Sequence, residues 1–173
     1  VAVVGVPAEH ERMAYIIRNL RPIDREELFA VRWDDDEDKF LDYIMAYAGA
    51  MTVVWERDGL PVSAQGVVPL RPGVVELWCF GTMRWSSVLL SMTKHAKRFI
   101  VPALARAGIH RAEAHPLVSN LLARHWIERM GGRLESIQRG AGRSGEDYAT
   151  YVWQPNVFLW RSQKQRPSAG GRI

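Results

Sequence analysis

Cysteine is nearly missing from this 173-residue chain: Cys79 stands alone, so no internal disulfide can form. That suits a reducing compartment. Long apolar runs are also missing. No stretch approaches the roughly 20 uncharged apolar residues that a membrane-crossing helix needs. The opening Val1-Ala2-Val3-Val4 has no basic residues before it, so it does not read as a secretory signal. The body of the chain lacks an excess of either charge. The formal net charge of +4 comes from four cations after Pro155, namely Arg161, Lys164, Arg166 and Arg172, which leave 19 basic and 19 acidic residues elsewhere. A neutral body argues against a broad nucleic-acid-binding face, although the tail could touch phosphate or an acidic partner. The acidic run Asp34-Asp35-Asp36-Glu37-Asp38 lacks the glycine-punctuated spacing of a calcium loop. It reads as acids gathered at a helix N-terminus, and no metal site is expected.

What is present is an ordinary globular balance, 47% apolar and 24% charged, with seven tryptophans at 33, 55, 78, 85, 126, 153 and 160. Each buried indole brings large area and one N–H that needs a partner. Cys79 sits in the apolar run Leu77-Trp78-Cys79-Phe80 and reads as core filler, not as a nucleophile.

Periodicity and punctuation divide the chain into alternating elements. Residues 1–6 are a strand closed by Pro7. Residues 8–19 are a helix, with Met13, Ile16, Ile17 and Leu20 at helical spacing and Pro22 as its stop. A second helix covers 24–30, with Asp24 as N-cap and Glu27 completing a capping box. A third covers 37–48 behind the acidic run. Strands at 51–56 and 60–69 flank Asp58-Gly59, a strong hairpin signal. The strand at 74–82 is apolar almost throughout, as for a strand covered on both faces. A long helix at 86–107 is capped by Ser86, and Pro102 should kink it. A strand at 110–115, a helix at 121–130 closed by Gly131-Gly132, and strands at 133–138 and 148–153 complete the body. The fold class is therefore α/β with a mixed sheet, in the order β-α-α-α-β-β-β-α-β-α-β-β. Residues 155–173 form an apolar segment, Val157-Phe158-Leu159-Trp160, and a basic, flexible tail. Such a segment either straps onto its own domain or docks onto a partner.

This order resembles the GNAT acyl-CoA N-acyltransferase superfamily over about residues 1–154. Two motifs narrow the resemblance. Leu20-Arg21-Pro22-Ile23-Asp24-Arg25-Glu26-Glu27-Leu28 resembles the Leu-Arg-x-x-Asp-Arg-x-Glu segment of the internal virion protein A family of short-tailed phages, which is related to GNAT proteins. Asn120-x-x-Ala123-x-x-Trp126-Ile127-Glu128-x-x-Gly131 is similar to that family's Asn…Trp-Leu-Glu-x-Leu-Gly-Phe segment, and more loosely to the Asn-x-x-Ala…Tyr…Gly-Phe segment of working acetyltransferases.

The resemblance implies an acyl-CoA cleft where the strands at 74–82 and 111–115 run parallel and splay apart. It implies cofactor contacts at Phe80, Gly81, Thr82, Arg84, Ser86, Ser87 and Asn120 if acetyl-CoA binds. It also shows what is missing. Working enzymes hold the pyrophosphate on a turn of the type Arg/Gln-x-x-Gly-x-Gly/Ala, whose glycines let backbone N–H groups approach. Here the stretch is Gly81-Thr82-Met83-Arg84-Trp85-Ser86-Ser87, with one glycine placed before the turn. Side chains from Met83 to Trp85 should crowd the site, and Trp85 could fill it. Ile127 stands where a tyrosine general acid is expected, and Gly132 where a phenylalanine follows the helix. Glu76 is the candidate general base, its alternative being a solvent-facing carboxylate at the strand edge. His110 and His115 flank a strand and read as surface or capped residues.

The implied function is a phage virion-associated structural or assembly protein with an inactive acetyltransferase-like fold and no cofactor. Its partners would be other virion proteins, with nucleic-acid contact through the tail, in the virion or the host cytoplasm. The alternatives are an active N-acyltransferase using acetyl-CoA and a nucleic-acid-binding accessory domain.

Overall fold

The computed structural model describes residues 2–49 and 51–154. The segment Val157–Trp160 and the basic tail lie outside these residues. A seven-stranded mixed sheet forms the centre, in the order β1-β2-β3-β4-β5-β7-β6. Its strands are β1 (Val3–Pro7), β2 (Val53–Arg57), β3 (Leu60–Arg71), β4 (Val74–Gly81), β5 (Arg111–Ala114), β6 (Arg133–Gln138) and β7 (Tyr148–Trp153). Every pairing is antiparallel except β4–β5. The Asp58-Gly59 hairpin forms as expected, with both residues at positive φ.

Helices cover both faces. On one face lie α1 (His10–Arg18), α2 (Pro22–Phe29) and α3 (Glu37–Tyr47). Met13, Ile16 and Ile17 of α1 pack with Phe29, Phe40 and Ile44 onto Val54, Ala64 and Phe80 of the sheet. Burying each of these large side chains contributes about 1.5–3 kcal/mol. On the other face lie α4 (Leu89–His95), α5 (Val101–Arg106) and α6 (Leu121–Arg129). Ile100, Leu104 and Ile127 pack there onto Val67, Val75, Ala112, Ala114 and Tyr151.

Caps explain several boundaries. Asp36 accepts N–H bonds from Asp38 and Lys39 at the start of α3, as the acidic run suggested. Asn120 accepts from the Ala123 N–H and starts α6. Other expectations are corrected. Pro22 does not stop a helix but opens α2, where its missing N–H costs nothing. Asp24 is therefore inside α2, buried, and is not its cap. Ser86 caps no helix: Trp85–Ser87 is a single 3-10 turn, and α4 begins only at Leu89. The tight turn is what sinks the Trp85 ring, 2% exposed, into the core. The irregularity ahead of Pro102 is a π turn at Ala96–Ile100, and Pro102 then lies in the first turn of α5, where it is tolerated.

The splay is present. β4 and β5 are paired only from Val74–Glu76 against Arg111–Glu113. Beyond Glu76, β4 continues to Gly81 without β5 beside it.

Candidate functional site

The splay opens into a cavity of about 620 Å³. Glu76, Phe80 and Asn120 line it, as does Trp85, whereas Gly81, Thr82, Arg84, Ser86 and Ser87 do not. The expected cofactor residues are thus split between the cavity wall and the turn that leaves β4.

Most of that turn's N–H groups are taken up by protein oxygens. The Thr82 N–H donates to the Val62 carbonyl at 2.8 Å, and Trp85 N–H to the Thr82 carbonyl at 2.9 Å. Ser87 N–H donates to the Arg84 carbonyl at 2.9 Å, and Val88 N–H to the Trp85 carbonyl at 3.1 Å. Arg84 N–H reaches the Thr82 hydroxyl at 3.3 Å. These donors already have protein acceptors, whereas an anion seat needs them directed outward. The turn's glycine serves Trp85: a Cβ on Gly81 would stand 2.7 Å from the indole Cδ1 and 2.9 Å from the Val62 carbonyl. The indole N–H donates to Cys79 Sγ at 3.4 Å, and its ring meets Trp126 edge-on at 5.8 Å. Burial pushes the Cys79 thiol up to about 11, so it stays protonated, in keeping with filler. Met83 lies on the surface, 74% exposed, and does not line the cavity, so it does not crowd the site as expected.

The residues that sequence reasoning missed come from α2 and from Arg21, the residue just before it. Arg21, Asp24 and Glu27 recur every three residues, which places them near one another along the start of the helix. Arg21 donates twice to the Asp24 carboxylate, at 2.9 and 2.6 Å, and its guanidinium lies 4.3 Å from the Trp85 ring centre. Asp24 accepts the Gly81 N–H at 2.8 Å, while Arg21 N–H donates to the Gly81 carbonyl. Burial raises the Asp24 carboxyl, and Arg21 opposes that rise.

Glu27 does at β5 what Asp24 does at β4. Its Oε2 accepts the Leu117 N–H at 2.8 Å and the Asn120 side-chain N–H at 2.9 Å. Its partners are neutral, and burial pushes its carboxyl up to about 7. The capping-box role expected of Glu27 is replaced by this long-range one. Tyr148 seals the contact by donating its hydroxyl to the Glu27 carbonyl at 2.6 Å. One carboxylate from α2 therefore occupies donors at the end of each splayed strand.

Glu76 sits at the last paired position of β4, opposite Glu113. It is half-buried on the cavity wall, not a solvent-facing edge carboxylate. Burial raises its carboxyl, with His115 opposing and Glu113 adding to the rise. Glu113 is buried and held by Arg111 at 2.6 Å and Arg71 at 3.1 Å. His115 Nε2 lies 3.4 Å from Glu113, and Nδ1 lies 3.4 Å from the Thr150 hydroxyl. The histidine is thus braced from two strands. His110 packs against Gly73 at the β3–β4 turn, away from the cavity. Ile127 is buried on the cavity wall, and Gly132 leaves room for the Trp153 indole. No cluster of three or more metal-ligating side chains occurs among the described residues. None of their helices is long and apolar enough to cross a membrane.

No protein-family model matches the sequence, and no curated protein matches it. Solved structures do. Salmonella typhimurium yncA, solved with its cofactor acetyl-CoA, is 18% identical, with 90% of this chain and 95% of that one covered at a TM-score of 0.65. A GNAT-family acetyltransferase from Bacillus anthracis is 12% identical, covering 89% and 95% at 0.66. The ribosomal-protein-S18-alanine N-acetyltransferase of Escherichia coli is 12% identical, covering 99% and 100% at 0.63. At such identities the likeness concerns the backbone, and this chain carries the GNAT acetyltransferase fold.

Proposed function

We propose that this chain is a phage virion-associated structural or assembly protein that uses the acetyltransferase fold as a scaffold and performs no acyl transfer. The observation that carries the loss of chemistry is the turn after β4: the N–H groups of Thr82, Arg84, Trp85, Ser87 and Val88 are taken by protein oxygens, and Trp85 is seated on its one glycine. A diphosphate would have to break those bonds to enter. The virion context rests on the two phage-like motifs. They meet in space, because Glu27 of the first accepts a hydrogen bond from Asn120 of the second. The motif residues thereby have an architectural role that needs no cofactor. In this reading the partners are other virion proteins, in the particle or the host cytoplasm. The cations beyond Pro155 would contact packaged nucleic acid.

Two measurements test it. Calorimetric titration with acetyl-CoA should give no saturable heat at high micromolar ligand, and a micromolar Kd would overturn the loss of chemistry. Mass spectrometry of gradient-purified particles from the encoding phage should find the protein, and its absence from them would overturn the virion role.

A second reading is an active N-acyltransferase with a nonstandard cofactor seat. Glu76 favours it, being half-buried where the strands part and having no hydrogen-bond partner among the described residues. An amine acceptor could give its proton to that carboxylate. Acetylation of a broad amine panel, lost in Glu76→Gln, would favour this reading.

A further inference from the structure

We propose that the outer side of α4 and of the turn that follows it binds single-stranded nucleic acid, with Phe99 as a stacking platform for a base and Lys94, Lys97 and Arg98 as contacts to the phosphates. The body of the chain sums to neutral, yet its charges are sorted. Residues 1–76 hold 8 basic and 14 acidic residues, and residues 77–154 hold 11 and 5. The first set supplies α1–α3 on one face of the sheet, and the second supplies α4–α6 on the other. No acid lies between Glu76 and Glu113. Lys94, Lys97 and Arg98 are exposed and enter no ion pair among the described residues. On the opposite helices Arg12, Arg18, Arg25 and Lys39 are each paired.

Spacings of three and four residues place the three cations on one side of this helical stretch. The other side faces inward: Ala96 and Ile100 line the cavity, whereas the cations and Phe99 do not. The surface is therefore separate from the cleft between β4 and β5. Ala96–Ile100 is the π turn, a rare i→i+5 arrangement met mostly at functional sites. It presents Lys97, Arg98 and Phe99 to solvent in succession. Phe99 is 61% exposed and is still held in place. Its ring meets His95 with centroids 5.1 Å and planes 32° apart, and His95 meets the buried Trp55 edge-on at 5.5 Å. The exposed ring is thus tied to the core through His95, so little freedom is lost when a base stacks on its open side. Cations beside a fixed aromatic ring suit a single strand, whose unpaired bases offer π faces and whose backbone offers phosphates. A bilayer fits less well. A helix lying in a membrane turns a broad apolar face outward, whereas here the exposed Leu90 and Phe99 are separated by the three cations.

The test follows the fluorescence anisotropy of a labelled oligothymidylate of about 20 nucleotides titrated with the full chain. Saturable binding is expected, tighter than to a duplex of the same length. Phe99→Ala should weaken it about tenfold, the worth of one stacked base, and Phe99→Tyr, which keeps the ring, should restore it. Changing Lys94, Lys97 and Arg98 together to Gln should lower the slope of log affinity against log salt by about 2. Changing Arg161, Lys164, Arg166 and Arg172 to Gln removes any contribution from the tail, and the Phe99 effect should persist in that background. No saturable binding at low salt would overturn the proposal, as would unchanged affinity in Phe99→Ala. So would sedimentation with phosphatidylserine vesicles that Phe99→Ala abolishes while oligothymidylate binding stays intact, because the face would then belong to a membrane surface. Displacement of the oligonucleotide by equimolar coenzyme A would assign the cations to a cofactor's phosphates, and it would also overturn the function proposed above. The other three results leave that function standing.

Discussion

The ends of β4 and β5 invite comparison, because the same helix supplies a carboxylate to each. Asp24 takes the Gly81 N–H at the end of β4, and Glu27 takes the Leu117 N–H and the Asn120 amide beyond β5. The first carboxylate has a cation against it and the second does not. Arg21 binds Asp24 through two nitrogens and lies on Trp85, and its side chain is only 12% exposed. Glu27 meets neutral donors alone and titrates near 7. Two similar contacts thus differ in what they contribute. The β4 contact is a buried ion pair that fails badly if one partner is lost. The β5 contact is a clasp whose strength depends on pH.

The largest effect expected is from Asp24→Ala. It strands a buried guanidinium and leaves the Gly81 N–H unpaired. The expected loss is about 3–5 kcal/mol, read from a urea midpoint at pH 7. A loss below about 1 kcal/mol would mean that Arg21 finds water or another partner, and the contrast between the two ends would collapse.

Next comes Glu27→Gln, which keeps an acceptor oxygen and removes the titration. The folded carboxyl is raised from an ordinary value near 4.5 to about 7. The folded state therefore holds the proton more tightly than the unfolded one, so stability is full at low pH and falls as pH rises through that window. The wild type should lose about 3 kcal/mol between pH 4 and 8 from this group. Glu27→Gln should lack that fall and be the more stable protein at pH 8. Parallel pH profiles of the two proteins would deny the neutral-clasp account.

A third variant, Gly81→Ala, probes the β4 turn. Its Cβ would press on the indole and on the Val62 carbonyl, and the carbonyl cannot swing aside as a flexible side chain could. A loss of about 1–3 kcal/mol is expected, measured by thermal unfolding. Tolerance of alanine would show that Trp85 is loosely seated, which would weaken the case for a closed cofactor site.

Much of the fold was legible because its signals are local. Asp58-Gly59 announced the hairpin, the apolar run at 74–82 announced a central strand, and the acidic run at 34–38 announced α3. The parallel, diverging β4 and β5 followed from element order and resemblance. The α2 network was not legible. Glu27 three residues after Asp24 satisfies the capping-box rule, but its partners lie 90 and 93 residues away and Asp24's backbone partner lies 57 away. The spacing of Arg21, Asp24 and Glu27 was the available signal: three charges at three-residue intervals across a helix start, beside apolar neighbours, mark a segment with something to meet. Ser86 misled for a related reason. It is a good cap residue, but burying the Trp85 indole imposes a tight turn that ends before α4 begins.

The smallest effect sharpens the β5 side. Asn120 has two tasks, because its oxygen caps α6 through the Ala123 N–H and its nitrogen donates to Glu27. Asp36 has one helix to cap and no bond to a buried carboxyl. At pH 4, where Glu27 is protonated, Asn120→Ala and Asp36→Ala should each cost about 1 kcal/mol, the ordinary value of a lost cap. Raising the pH separates them. Asn120 holds the Glu27 carboxyl down, so its removal lets that carboxyl rise further and extends the fall in stability above pH 7. The cost of Asn120→Ala should therefore grow from pH 4 to pH 8. Protonation of Glu27 gives no such reason for growth in Asp36→Ala, whose carboxyl is held below its ordinary range chiefly by the Lys39 N–H. A double variant, Glu27→Gln with Asn120→Ala, isolates the link, because the added pH dependence should vanish when Glu27 can no longer ionise. If it persists, the pH response of α6 arises elsewhere, and the carboxylate at the end of β5 is not the clasp described.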